Sequence, residues 1–266
     1  MINPAEIAKE LLSNGTGVII GYQKGTSGKI RPAIINNIEK ADSLIFDKTC
    51  KQNLAVYLTK QEVKKMGKAA IFATLPAMRS VMVLISENQV NPDNITIIGL
   101  DDSGSLLNFT GIAPVKDYIE KSDLTNPAED KLLLEKLNNM SREERFQFWS
   151  ETLSKCIKCY ACRQACPMCY CVRCSTDYNR PQWIPVQSNL HGNMDWHILR
   201  ALHLAGRCIS CGECSRACPV GIPCHLLTMH LVDKTADYFN VYAGTSTDMK
   251  SVMSTYEPND KESFII

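Results

Sequence analysis

Two stretches decide the reading of this chain: Cys156-Ile157-Lys158-Cys159-Tyr160-Ala161-Cys162-Arg163-Gln164-Ala165-Cys166-Pro167 and Cys208-Ile209-Ser210-Cys211-Gly212-Glu213-Cys214-Ser215-Arg216-Ala217-Cys218-Pro219. Both read C-x2-C-x2-C-x3-C-P. Three closely spaced thiolates fold around one face of a 4Fe–4S cubane, and the turn at proline carries the fourth away. Where two such runs occur together, the fourth cysteine of each serves the other cluster. By that rule Cys156, Cys159, Cys162 and Cys218 hold one cluster, and Cys208, Cys211, Cys214 and Cys166 the second. Soft thiolates suit a sulfur-bridged iron centre. The alternative, a pair of zinc sites, usually lacks the third cysteine and the C-P ending.

A third group, Cys169-Tyr170-Cys171-Val172-Arg173-Cys174, follows the first run at once. Three thiols this close suit a third 4Fe–4S cluster, which needs one more ligand. Cys50 and Cys224 are the spare cysteines. Cys50 comes from the other domain and would staple the two together; Cys224 follows Cys218-Pro219 and would simply pack there. A zinc site or buried free thiols are the other readings of this group. Twelve of the 13 cysteines lie between Cys156 and Cys224. An odd number so crowded makes a poor disulfide framework, whereas metal fits a reducing compartment.

The rest of the composition excludes more than it assigns. The 266 residues carry a formal net charge of +1, which gives no electrostatic case for nucleic acid or an anionic membrane surface. No apolar run reaches the length of a membrane span. The start, Met1-Ile2-Asn3-Pro4-Ala5-Glu6, does not read as a signal peptide, so a cytoplasmic protein in an anaerobe's reducing interior is the expectation. His191, His197, His203, His225 and His230 are scattered and read as core or surface residues; Met194, Met229 and Trp196 read as core or interface. Lys158, Arg163, Arg173, Arg207 and Arg216 stand among the cysteines, where they could offset cluster charge or be ordinary solvated bases. Gly25-Thr26-Ser27-Gly28 lacks the context of a phosphate cradle.

The first part of the chain reads as α/β. Ala5–Leu12 is a short helix, Gly17–Tyr22 a strand, and Ile30–Ile35 an edge strand because Pro32 removes a donor. Asn53–Leu58 begins a helix. Ala69–Ala73, a helix from Pro76 through Ile85, and Ile95–Leu100 form a strand–helix–strand unit with a parallel pair and right-handed crossover. Val115–Ser154 is helical, with a capping box at Ser141-Arg142-Glu143-Glu144. Asp195–Leu204 is a helix leading into the second cysteine run. The expected domains are 1–112 (α/β), 113–154 (helical connector), 155–240 (dicluster domain) and 241–266 (extended tail).

The wide spacing of the two runs, each preceded by a helix, resembles the α-helical ferredoxin fold of succinate dehydrogenase iron–sulfur subunits and heterodisulfide reductase subunits. Three further segments carry a second likeness: Val18–Tyr22 with Arg31-Pro32, Cys50–Leu58, and Gly67–Phe72 running on to Ile97-Ile98-Gly99. With the cysteines they resemble the coenzyme F420 hydrogenase/formate dehydrogenase β-subunit family, in the branch that accompanies heterodisulfide-reductase-like complexes. That resemblance implies an electron-relay subunit of an anaerobic oxidoreductase, with a heterodisulfide-reductase-type flavoprotein and a formate dehydrogenase, hydrogenase or similar catalytic subunit as partners. It also raises a rival, in which FAD in the α/β domain exchanges hydride with F420 or another carrier. Here the turn after the Ala69–Phe72 strand is Ala73-Thr74-Leu75-Pro76, without the family's cysteine, and Pro76 lacks an amide donor. That departure argues against the flavin and for a docking platform. A structural or oxygen-sensing cluster module is the remaining alternative, and no catalytic side chain is proposed.

Overall fold

A computed structural model describes residues 3–101, 103–176 and 180–252. The chain divides into two compact units. One comprises Met1–Asp123 with Gly244–Met249, the other Leu124–Ala243 with Lys250–Ile266.

The N-terminal unit is built on a mixed sheet. Helix α1 (Pro4–Ser13) starts at a capping box in which the Asn3 side chain accepts from Ala5 N and Glu6 reaches back to Asn3 N. Strands β1 (Val18–Lys24), β2 (Ile30–Ile35) and β3 (Leu44–Ile45), helix α2 (Gln61–Lys64), strand β4 (Ala69–Phe72), helix α3 (Leu75–Ser86), strands β5 (Ile95–Leu100) and β6 (Leu106–Phe109), and helix α4 (Ala113–Lys121) follow. The sheet order is β2-β1-β4-β5-β6, and β3 pairs with the C-terminal end of β1. Strand β2 lies at the edge, antiparallel to β1, with Pro32 opposite Tyr22. Strands β4 and β5 run parallel across the α3 crossover, as the sequence pattern requires, and β1 joins them in parallel through Val18–Ile20.

Burial explains the sequence pattern. Strand β4 is buried at every position because elements cover it on both faces, so it reads as a continuous apolar run and not an alternation. Ile19, Ile20, Ile71, Phe72, Ile97 and Ile98 form the sheet's share of the core, and Met78, Met82 and Leu84 of α3 pack with them. Phe46 stacks on Tyr22 at 5.7 Å and meets Phe72 edge-on at 5.4 Å.

Two expectations need correction, and one element is additional. Leu54–Thr59 is a 3-10 helix, started by the Asn53 side chain accepting from Ala55 N. Its run of branched and aromatic residues, Leu54, Val56, Tyr57 and Leu58, favours a short tight segment over a full α-helix. The hairpin β5–β6, closed by a turn in which Asp101 accepts from Ser105 N at 2.7 Å, was not anticipated. Residues 113–154 are not one connector: α4 belongs to the N-terminal unit and the helices that follow it to the second, while Gly244–Met249 packs with the first. The end of the expected tail, from Met253 on, lies outside the described residues.

The second unit is helical: α5 (Ala128–Asn139), α6 (Arg142–Ser154), α7 (Ala161–Gln164), α8 (Leu190–Leu202), α9 (Glu213–Arg216) and α10 (Cys224–Phe239). Helix α8 starts earlier than Asp195 because the Asn189 side chain accepts from Gly192 N at 2.9 Å and caps it. Two clusters make its interior. Leu153, Ile184, Trp196 and Ile222 pack with the cysteines, and Leu134, Leu137, Leu226 and Met229 pack beside them. No described helix is long and apolar enough to cross a membrane.

Gly17 tests the packing of the sheet. A Cβ there would lie 1.7 Å from the Met66 carbonyl oxygen, which is backbone and has little room to yield. Gly17→Ala should therefore destabilise the protein by about 3 kcal/mol, at the upper end for overpacking, in a denaturant titration read by near-UV circular dichroism. An unchanged midpoint would contradict this packing.

Candidate metal centre

The two cysteine runs adopt the same local conformation. In the first, Lys158 and Tyr160 take positive φ (50° and 58°) and α7 follows; in the second, Ser210 and Gly212 do so (58° and 72°) and α9 follows. Left-handed residues at these places turn backbone amides toward the sulfurs. Lys158 N donates to Cys156 Sγ at 3.4 Å and Ser210 N to Cys208 Sγ at 3.4 Å. Ile222 N donates to Cys218 Sγ at 3.3 Å. Three of the four left-handed residues are not glycine, so the loops hold a conformation that costs energy and that packing must enforce. Tyr160 is held by an edge-on contact with the buried Trp196 at 5.4 Å.

The fourth cysteine of each run stands with the other run. Cys156, Cys159, Cys162 and Cys218 line one recess, whose wall includes Trp196, His197 and Cys224. Cys166, Cys208 and Cys211 each lie close enough to Cys214 to act on it electrostatically. Burial pushes the Cys156, Cys208 and Cys214 thiols above their ordinary range. Bare thiolates are disfavoured there, so a cation must take the proton's place for the sulfurs to become ligands. Thiols arrayed around a recess, with amides aimed at sulfur, fit an iron–sulfur cluster. Among the described residues no three His, Cys, Asp or Glu side chains converge on a single ion. A cubane asks for something else, one thiolate at each of four iron corners.

The remaining cysteines are dispersed. The Cys169 thiol hydrogen-bonds to Cys166, and that bond, helped by Arg200 and opposed by burial, draws Cys166 down to about 6. The Cys224 thiol does the same for Cys162, drawn down to about 7. Cys171 is exposed, and Cys174 Sγ lies 2.9 Å from Thr176 Oγ1. Cys50 is buried in the N-terminal unit, and burial pushes its thiol up.

Helix α8 supplies polar groups that the sequence pattern did not single out. Asn193, His197 and Arg200 stand at i, i+4 and i+7, all buried on one helix face. Asn193 Nδ2 donates to the Leu153 and Cys156 carbonyls at 3.0 Å each. His197 Nε2 lies 3.4 Å from Cys156 Sγ. Burial first, then Arg200 and Lys158, pull its imidazole down to about 4, so the ring is neutral near pH 7. Arg200 donates to the Cys162 carbonyl at 3.0 Å. By contrast, the basic residues that stood out in the sequence tie down peptide carbonyls: Arg163 that of Cys171, Arg207 that of Met168, Arg216 that of Cys211, and Lys158 that of Pro185.

This centre defines an iron–sulfur protein. Residues 152–222 match the 4Fe-4S dicluster domain family, a span that includes all eight cysteines of the two runs. The chain also resembles the β-subunit family of formate dehydrogenases. It is 30% identical over 121 residues to the F420-dependent formate dehydrogenase subunit beta of Methanocaldococcus jannaschii, covering 44% of this chain and 31% of that protein. It is 41% identical over 44 residues to the F420-dependent formate dehydrogenase 1 subunit beta of Methanococcus maripaludis, covering 15% of this chain and 11% of that one. The chain thus spans less than a third of the length of these curated relatives.

Asn193 offers a direct check on the scaffold. Asn193→Ala removes one donor from each of the Leu153 and Cys156 carbonyls, which keep Cys156 N and Ser188 Oγ, and should cost about 1–2 kcal/mol in denaturant unfolding of the iron-loaded protein, with faster cluster loss. Wild-type unfolding and cluster retention would show that these bonds do not hold the first loop.

Proposed function

We propose that this chain is an electron relay. It takes electrons from a formate dehydrogenase, hydrogenase or similar catalytic subunit and passes them, by way of two 4Fe–4S clusters, to a heterodisulfide-reductase-type flavoprotein. One observation carries the reading: each run's fourth cysteine lies among the other run's first three. Cys156, Cys159, Cys162 and Cys218 are then the ligands of one cluster, and Cys208, Cys211, Cys214 and Cys166 those of the other. Such crossed ligation brings two clusters close together, as onward electron transfer requires. The exposed Cys159 and Ile157 bring the rim of the first recess to the surface, where a partner's redox centre could approach. The clusters supply one-electron chemistry when bound; the chain's residues hold the sulfurs, donate amides to them and exclude water. The partners are part of this proposal; a third cluster on Cys169, Cys171 and Cys174 is not, because Cys169 is hydrogen-bonded to Cys166, Cys224 to Cys162, and Cys171 is exposed.

Paired substitutions test the ligand sets. Cys156→Ala with Cys218→Ala should remove one cluster's worth of iron and sulfide and leave the other in place. Cys156→Ala with Cys166→Ala should remove both. The reverse pattern would mean that each run keeps its own fourth cysteine. The relay is tested by mixing the loaded chain, without oxygen, with a formate dehydrogenase catalytic subunit and formate, or a hydrogenase and hydrogen. Bleaching of the visible absorbance, followed by recovery on adding the flavoprotein, is the expected result. Clusters that dithionite reduces but no catalytic subunit does would overturn it.

A further inference from the structure

Arg200 is a buried permanent cation with 5% of its surface exposed. One of its terminal nitrogens donates to the Cys162 carbonyl at 3.0 Å, and its Nε is buried without a partner among the described residues. The guanidinium also hydrogen-bonds the Cys169 thiol. The ionisable groups near enough to act on it are cysteines, Cys169, Cys166, Cys214 and Cys162. Cys162 belongs to the first recess, and Cys166 and Cys214 belong to the second set. A carbonyl does not neutralise a buried cation, and such a charge is retained only where something anionic offsets its desolvation. Two anionic clusters, one on each side, would do so.

We infer that Arg200 is a positioning residue shared by both clusters, a fixed positive charge that holds both reduction potentials up. The inference rests on the dicluster reading above. An electron added to either cluster adds negative charge, and a nearby cation in a poorly hydrated interior favours that state.

The test is an EPR-monitored redox titration of the full, cluster-loaded chain, with iron and sulfide measured on each sample. Arg200→Gln should make reduction of both centres about tenfold less favourable, 59 mV for one electron, with iron and sulfide content unchanged. Arg200→Lys keeps the charge, although it loses the planar fork, and should leave both potentials close to those of the wild type. A loaded Arg200→Gln chain with unmoved potentials, or with only one centre moved, overturns the inference. If the glutamine variant fails to load, Arg200→Met, which also removes the charge while keeping an extended side chain, decides in its place: a fall at both centres supports the inference and unmoved potentials overturn it. A wild-type chain without two reducible centres removes the dicluster reading itself. Two centres in the wild type that ignore Arg200 remove only the present inference.

Discussion

The constraint on which the cysteine-rich unit depends is the burial of sulfur. A buried thiol keeps its proton, and a buried thiolate needs a cation beside it. Burial favours the protonated form of Cys156, Cys208 and Cys214, so a metal bound by these sulfurs would take the proton's place. The rest of the unit serves these sulfurs. Left-handed residues turn amides toward the sulfurs, Asn193 ties the first loop to α6, and His197 presents a neutral ring to Cys156. Helices α6, α8 and α10 supply apolar walls around sites too polar to bury on their own.

The two runs resemble a repeat more closely than their sequences suggest. Both make the same pair of left-handed turns and the same one-turn helix before the proline. They differ in what enforces the conformation. The second run has Gly212 at the helix start, where a left-handed backbone costs little. The first has Tyr160 there, and secures it with the Trp196 contact. Cys169 and Cys224 also play matching parts, each donating a thiol hydrogen bond to a ligand candidate of a different set.

The cysteine runs were legible in the sequence because their spacing is a direct image of ligand geometry. The β4–α3–β5 unit was legible because a buried parallel strand reads as an unbroken apolar run. The 3-10 helix at Leu54–Thr59 was misread because helix type depends on crowding that apolar content does not encode. Helix α10 was missed because its polar second half, from Asp233 on, masked a start that lies directly behind Pro223. Arg200 was missed for a physical reason. A lone arginine on an amphipathic helix ordinarily faces water. Its burial is foreshadowed only by its phase with Asn193 and His197, a polar stripe beside the apolar Trp196 and Ala201, and its neighbours come from segments remote in the chain.

The central claim is that two thiolate-bound cubanes share the helical unit, and a metal count on the wild-type chain tests it most directly. Iron and acid-labile sulfide should be measured per chain after anaerobic purification, with EPR spectra of the reduced protein. The account predicts about eight irons with matching sulfide and two magnetically interacting reduced centres; about twelve would add a cubane at the third cysteine group. Zinc, or iron without sulfide, would contradict it.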